Sequence, residues 1–479
     1  MIKPQPRDLP ALSDASAEPL YRQVYERFRG AIAQGTLKPG DRIPSARALA
    51  KELGVARGTV EVAYALLGSE GYILARGQAG TVVAPDLQPQ HAPVALPPPP
   101  DPAPDERVWR EPPGIRPFQM GLPALDEFPR KIWARLGARQ LRAMQAQELA
   151  YPASAGLPAL RSATAAYLQV ARGIHCQPSQ VFITSGYNST MRLILQTLFE
   201  PGDRVWMEDP GYPPTRALLE QARLQPVPVP VDQDGLMVAA GIERAGSARG
   251  AVVTPAHQSP LSMSLSLPRR QALLEWAERG GSWVVEDDYD GEYRYVGRPL
   301  PALKSLDTQG RVLYAGTFSK VLFPGLKLAY LVVPEAQIGS FERSARLQAG
   351  GAPGLTQAIL AAFMAEGHFA RHIQRMRKLY AERRAATVAG LTAVLGQHLR
   401  IEPQPGGMHL VLRLLESGAN RDLDDQALAA RIWEQGLFAE ALSRWSDAPD
   451  RRSGILLSFT NIASEAQARE LGLRILALL

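Results

Sequence analysis

"VLYAGTFSKVLFPG", residues 312–325, runs as an apolar strand into a Thr-Phe-Ser-Lys tetrad that ends it. Strand-like runs of this kind belong to sheet interiors, so Lys320 is aimed at the centre of what reads as a domain. An ammonium leaving water loses on the order of several kcal/mol of solvation unless it pairs or deprotonates. A lone lysine ordinarily avoids that cost by snorkelling to the surface. The residues on either side decide between these readings.

The runs "QVFITSG" (180–186), "DRVWMEDPGY" (203–212), "GAVVTPAHQ" (250–258), "SWVVEDDYD" (282–290) and "LAYLVVPE" (328–335) resemble 311–320 and alternate with helical stretches. This alternation predicts a mostly parallel α/β sheet with crossover helices, which binds ligands at the carboxyl ends of its strands. Four ends suit one ligand. Ser185-Gly186-Tyr187-Asn188 precedes the helix "STMRLILQTLF" (189–199), and backbone N–H groups at such a start cradle an anion. Asp287 ends a strand and can hold a pyridinium proton, while Tyr289, two positions on, faces the same way. Tyr212 in "EDPGYPP" offers a ring for stacking, and Lys320 an amine. Singly these read as a helix cap, an acidic turn, a core tyrosine and a surface lysine. Together they are the parts that pyridoxal 5′-phosphate needs: an amine for its aldehyde and a carboxylate to keep its ring nitrogen protonated. A lysine condensed with that aldehyde carries no uncompensated buried charge.

Upstream, residues 84–117 are about one-third proline and lack apolar periodicity, which predicts a semi-rigid spacer. Before the spacer, "PLYRQVYERFRGAIAQG" places Leu20, Val24, Phe28 and Ile32 on one helical face, with Gly35 closing the helix. "PSARALAKELG" follows with Ser45 as N-cap, then a short turn and the helix "RGTVEVAYALLGSEG" (57–71). Two helices joined by a tight Gly-bearing turn make a helix-turn-helix, and "YILARGQAGTVVA" reads as two wing strands. On this reading the third helix enters a major groove with Arg57 and Thr59 at base edges, while Arg47 and Arg76 reach phosphates or, for Arg76, a minor groove. The expected organisation is residues 1–85 as a winged helix-turn-helix, 86–117 as linker, and 118–479 as a ligand-binding α/β domain with a smaller C-terminal α+β subdomain.

A chain of 479 residues accommodates such a multidomain layout. Its net charge of +6 is modest, and residues 1–85 carry eleven Lys and Arg against eight Asp and Glu, which suits double-stranded DNA without requiring it. The single cysteine, Cys176, excludes an intramolecular disulfide and a Cys-rich metal site. No apolar window reaches the length of a membrane span and the N-terminus lacks a secretory layout. A cytoplasmic protein without membrane association or bound metal is expected.

Residues 19–73 closely resemble the N-terminal domain of GntR-family transcriptional regulators. From about residue 118 onward the chain is similar to fold-type I, aspartate aminotransferase-like domains, through "YPASAGLPALR", "PGDRVWMEDPGYP", "TPAHQSP", "VVEDDYDGEYRY" and "GTFSKVLFPGLKLAY" in that order. Joined to the N-terminal domain, these segments resemble the MocR-type branch of the GntR family. The resemblance implies Lys320 as the Schiff-base lysine, Asp287 as partner of the pyridine nitrogen, Tyr289 as partner of the ring hydroxyl and Tyr212 as the stacking ring. It implies phosphate contacts from Gly186, Tyr187, Thr317 and the basic residue at 327. Tyr151 would reach the phosphate of a neighbouring subunit, which implies a homodimer. Four positions depart from the family pattern: Ala56 replaces a Ser or Thr before Arg57, Lys327 an arginine, and Ser259 an asparagine near the ring hydroxyl. Leu456, in "GILLSFTN", replaces the arginine that clamps the substrate carboxylate in aminotransferases. Arg216, Arg451 and Arg452 are the candidates to replace that guanidinium. Two functions follow: a transcriptional regulator that senses pyridoxal phosphate or a small amine or amino-acid-like effector, or an active aminotransferase with a DNA-binding domain attached. The loss of a forked partner for a planar carboxylate disfavours efficient transamination of ordinary amino acids.

Overall fold

Helix α1 (Leu20–Ala33) forms because Val24 and Phe28, one turn apart, meet a common core, and both are fully buried. The flanking Leu20 is exposed and Ile32 half-buried, so the apolar face is sealed only at its middle. This is the computed structural model of the chain, and it describes residues 18–77, 80–87, 114–295, 301–348, 351–402, 406–415, 424–447 and 453–479. Most of the proline-rich spacer, the tip of the wing, Arg451 and Arg452 lie outside them. The chain divides into two compact units, Met1–Glu111 and Pro112–Leu479.

In the first unit, β1 (Arg42–Ile43) leads into α2 (Ala46–Leu53), where the Ser45 hydroxyl accepts the Ala48 N–H at 3.2 Å. Gly54 ends α2 in the left-handed conformation that a side chain resists. Then α3 (Arg57–Ser69) buries Val60, Ala63 and Leu67. Strands β2 (Ile73–Ala75) and β3 (Thr81–Val83) pair as the wing. β1 adds to β3, giving the order β1-β3-β2. This third strand was not anticipated, since two residues carry no periodicity.

The second unit opens with α4 (Arg130–Ala143) and α5 (Pro158–Arg172). Its large sheet comprises β4 (Val181–Thr184), β5 (Arg204–Asp209), β6 (Gln225–Asp232), β7 (Gly235–Leu236), β8 (Gly250–Val253), β9 (Trp283–Asp288), β10 (Val312–Thr317) and β11 (Ala329–Val332). The intervening helices are α6 (Tyr187–Leu198), α7 (Pro213–Gln221), α8 (Val238–Ala245) and α9 (Leu267–Gly280). The spatial order is β4-β11-β10-β9-β8-β5-β6-β7. Neighbours from β6 through β10 are parallel, as the alternation predicts, whereas β11 runs antiparallel to both β10 and β4. The link from Thr317 to Ala329 contains only a short 3-10 turn, Pro324–Leu326, too little chain for a crossover, so the strand returns beside its predecessor. β6 was also unanticipated: alternate prolines in "QPVPVPVD" argue against a strand, and it is tolerated here near the edge of the sheet.

The remaining helices are α10 (Ile338–Leu347), α11 (Gly354–Ala365) and α12 (His368–Leu395). The smaller α+β subdomain adds β12 (Leu399–Glu402), β13 (His409–Leu414), α13 (Asp425–Glu434), β14 (Glu440–Ala441), β15 (Gly454–Ser458) and α14 (Glu465–Leu476). Its antiparallel sheet, ordered β12-β13-β15-β14, buries Leu410, Leu412, Ile455 and Leu457 in one cluster with Tyr380 and Leu391 of α12 and Leu471 of α14. No helix among the described residues is long and apolar enough to cross a membrane.

Candidate functional site

Register brings the predicted groups to one rim. Thr184 of β4 pairs with Ala329 of β11, which pairs with Thr317 of β10, and Gly316 pairs with Asp288 of β9. The carboxyl ends of β4, β10 and β9 therefore stand side by side. Because β11 is reversed, its beginning joins them and carries Lys327 to the same edge.

Gly186 holds φ at +100° at the N-cap of α6, and a Cβ there would meet nothing within 4 Å. Space therefore lies open beside the N-terminus of α6, at Gly186. The helix begins two residues earlier than the sequence suggested, taking Tyr187 into its first turn. The Tyr187 hydroxyl lies 2.6 Å from Thr215 Oγ1 and acts on Asp287, favouring its charged form. The Asp287 carboxyl is pushed up to about 7, chiefly by burial and further by the charges of Glu208 and Asp290, against the opposing pull of Lys320 and Tyr187. Asp288 alternates to the opposite face, where Arg172 and Tyr314 hold it.

Lys320, part-buried just past the end of β10, pays for the loss of water around its ammonium. Desolvation pushes its pKa down, and Asp290 and Asp287 pull it back. Its Nζ donates to the Gly121 carbonyl at 3.0 Å. Gly121 has φ +76°, and a Cβ there would fall 2.5 Å from Nζ, so this glycine leaves the space the amine occupies. The Tyr289 hydroxyl is sealed from solvent and has no hydrogen-bond partner among the described residues; burial and then the Asp290 charge push its pKa up, while Ser259 pulls it down. Tyr212 caps α7 with its ring 5.7 Å from those of Tyr187 and Trp445, and burial raises its hydroxyl to about 12. Thr317 is half-buried, with its hydroxyl accepting the Ser319 N–H at 3.1 Å. Lys327 is exposed on left-handed backbone, φ +49°. Tyr151 is wholly exposed, just after the 3-10 turn Ala146–Leu149.

Several residues of the rim escaped the sequence reading. Glu208, raised to about 7 by burial, accepts from the Thr254 N–H and hydroxyl. His257 Nδ1 and Asp290 Oδ1 lie 3.0 Å apart, both buried. Gly121 lies about 200 residues from its partner, and no local pattern signals such a contact. Leu456 is fully buried on β15. Of its proposed substitutes, Arg216 is already ion-paired with Asp447.

On the first unit, Arg47, Arg57 and Arg76 are all exposed and Thr59 is half-buried. Arg57 opens α3, where Ala56 provides no side-chain cap, and its guanidinium pairs with Glu61 at 2.8 Å. The Arg76 N–H donates to Gly80 at 2.8 Å and closes the wing. Among the described residues no cluster of His, Cys, Asp and Glu is suited to a metal ion.

Residues 20–83 match the family described as bacterial regulatory proteins, gntR family, and residues 125–444 match aminotransferase class I and II. The chain is 38% identical to the probable rhizopine catabolism regulatory protein MocR of Rhizobium meliloti over 93% of this chain and 90% of that one. It is 34% identical to the HTH-type pyridoxine biosynthesis transcriptional regulator PdxR of Corynebacterium glutamicum over 94% of each. Among solved structures, LysN, the alpha-aminoadipate aminotransferase of Thermus thermophilus complexed with N-(5′-phosphopyridoxyl)-L-leucine, superposes with a TM-score of 0.67. It is 26% identical and covers 76% of this chain and 92% of that one.

Proposed function

The chain belongs to the MocR-type branch of the GntR family, transcription regulators that carry an aminotransferase-like domain, and on that premise we propose that it is a homodimeric, cytoplasmic regulator that senses a small amine through pyridoxal 5′-phosphate. One observation carries the proposal: Lys320, Asp287 and the unpartnered Tyr289 hydroxyl share a rim with the open N-terminus of α6. These residues fit the cofactor. The sealed Tyr289 hydroxyl lacks the partner that a ring hydroxyl provides, and the space at Gly186 suits a phosphate. The phosphopyridoxyl compound bound to LysN supports the same reading.

When bound, pyridoxal phosphate supplies an electrophilic carbonyl carbon and an electron-withdrawing ring. Lys320, with its pKa lowered, keeps a fraction of its amine uncharged and nucleophilic. Asp287 holds a proton at the ring nitrogen, and Tyr289 orients the ring by its hydroxyl. Tyr212 covers one ring face. Gly186, Tyr187, Thr317 and Lys327 bind the phosphate, with Lys327 acting as a point charge where an arginine would give a fork. Tyr151, wholly exposed, is free to serve a partner subunit. Residues 86–117 act as the linker between the winged domain of 1–85 and the effector domain of 118–479, so that a rigid-body change in the dimer reaches the DNA contacts of Arg47, Arg57, Thr59 and Arg76.

An active aminotransferase is the competing reading, and the buried Leu456 opposes it because an apolar side chain stands where the resemblance calls for the arginine that clamps the α-carboxylate. Footprinting on operator DNA separates the two. Wild-type protein acquires a visible cofactor band and changes occupancy with an effective amine. Lys320→Ala lacks the band and the response while retaining DNA binding. Occupancy indifferent to cofactor and to every amine, alongside repeated turnover of an amino donor and a keto acid, refutes the proposal.

A further inference from the structure

The smaller subdomain brings further residues toward the end of the rim that carries Tyr212. Glu440 of β14 is the Cα partner of Leu456 on β15, and Leu456 is the partner of Val411 on β13. Directly paired residues project from the same side of a sheet. Ala441, Ile455, Leu457, Leu410 and Leu412 fill the core on the other side, so Glu440, Leu456 and Val411 face away from it. His409, on that same outward face, donates from Nε2 to the Pro260 carbonyl at 2.6 Å, next to Ser259 in the chain. At the other end, the Gly211 N–H donates to the Trp445 carbonyl at 2.9 Å, and the Asp447 N–H donates to Asp209 at 3.1 Å. Residues 440–447 therefore run along the strand end that carries Tyr212, whose hydroxyl burial raises, with the Asp287 and then the Glu440 charge adding to it.

Glu440 is 6% exposed, and its carboxylate makes no hydrogen bond or ion pair with the described residues. The cation that acts on it, Arg444, is exposed and leaves it raised to about 7 by burial. A largely buried carboxylate gains when a cation reaches it. Beside Leu456 this face presents an anion, Glu440, where the resemblance calls for a guanidinium.

We infer that Glu440 is the counter-ion for a second positive group on the effector, which is therefore a diamine or a guanidinium-bearing amine and not an amino acid. The inference rests on the amine-sensing reading of the site. One end of the ligand occupies the Lys320 rim, and the other brings an ammonium or guanidinium to Glu440. Tyr212 and Trp445 add ring faces that attract a cation. An α-carboxylate at the same place would meet a like charge beside an apolar wall, which discriminates against it.

Cofactor-loaded full-length protein is titrated with 1,5-diaminopentane, 5-aminopentanoate and n-pentylamine, following heat by calorimetry and the cofactor band by absorption. The diamine is expected to bind at least about tenfold more tightly than the aminopentanoate, and Glu440→Gln to weaken the diamine about tenfold while leaving pentylamine within about twofold. Equal or tighter binding of the aminopentanoate, or diamine affinity indifferent to Glu440→Gln, overturns the counter-ion. Silence toward all three amines in both readouts overturns the amine-sensing reading and this inference with it.

Discussion

Removing the Arg172 guanidinium tests how the rim is held in place. Arg172 and Asp288 are buried, with side chains 4% and 2% exposed. Arg172 also donates to the Gly291 carbonyl at 2.9 Å, while Asp288 accepts from the Tyr314 hydroxyl at 2.6 Å and the Gly291 N–H at 3.0 Å. Arg172→Met keeps most of the volume and strands a carboxylate inside the unit, which costs about 3–5 kcal/mol. For the unit Pro112–Leu479, an unfolding entropy of about 2.1 cal/mol/K per residue turns that loss into a fall in Tm of about 4–6 °C. Asp288 directly follows Asp287 and precedes Tyr289, so the same change loosens the strand end that carries the proposed cofactor contacts, and cofactor retention is expected to fall too. Thermal unfolding followed by circular dichroism reads the first effect, and cofactor absorption after dialysis the second. The double variant Arg172→Met/Asp288→Leu removes both charges and is expected to recover at least about 2 kcal/mol relative to the sum of the single losses. A fall in Tm under about 1 °C for Arg172→Met, or strict additivity in the double variant, refutes the reasoning.

Arg57→Ala is expected to weaken operator binding by about 1–3 kcal/mol while leaving non-specific DNA affinity nearly unchanged; equal losses on both DNAs in a mobility-shift titration count against base reading. Gly121→Ala forces a Cβ to within 2.5 Å of Lys320 Nζ on backbone at φ +76°, and it is expected to cut cofactor uptake with DNA binding intact; uptake at the wild-type level in a spectral titration refutes this. Glu440 titrates near 7 when folded against an ordinary 4.5, so the folded protein binds its proton more tightly. Its contribution to stability is present below about pH 4.5 and is lost as pH rises through about 7. Glu440→Gln therefore stabilises the unliganded protein by an amount that grows between those pH values to about 3 kcal/mol, and a difference in urea stability that stays flat from pH 4 to 8 contradicts it.

Local patterns sufficed for the parts of this protein that repeat or punctuate. The Ser45 cap, the buried middle of the α1 face at Val24 and Phe28, the wing strands and the strand ends leading to Gly186, Asp287, Tyr289 and Lys320 each leave a signal within a few residues, because caps, periodicity and strand termination are short-range physics. The order of motifs along the chain was likewise enough to indicate the family. Pairings across long stretches of chain leave no such mark. The reversal of β11, the seat of the Lys320 amine on Gly121, the Arg172–Asp288 pair behind the rim and the position of Glu440 opposite Leu456 all depend on which strands become neighbours. Which residues become neighbours is settled by packing and by the length of the connections, through contacts between residues up to hundreds of positions apart, and these create the buried charges on which the site depends.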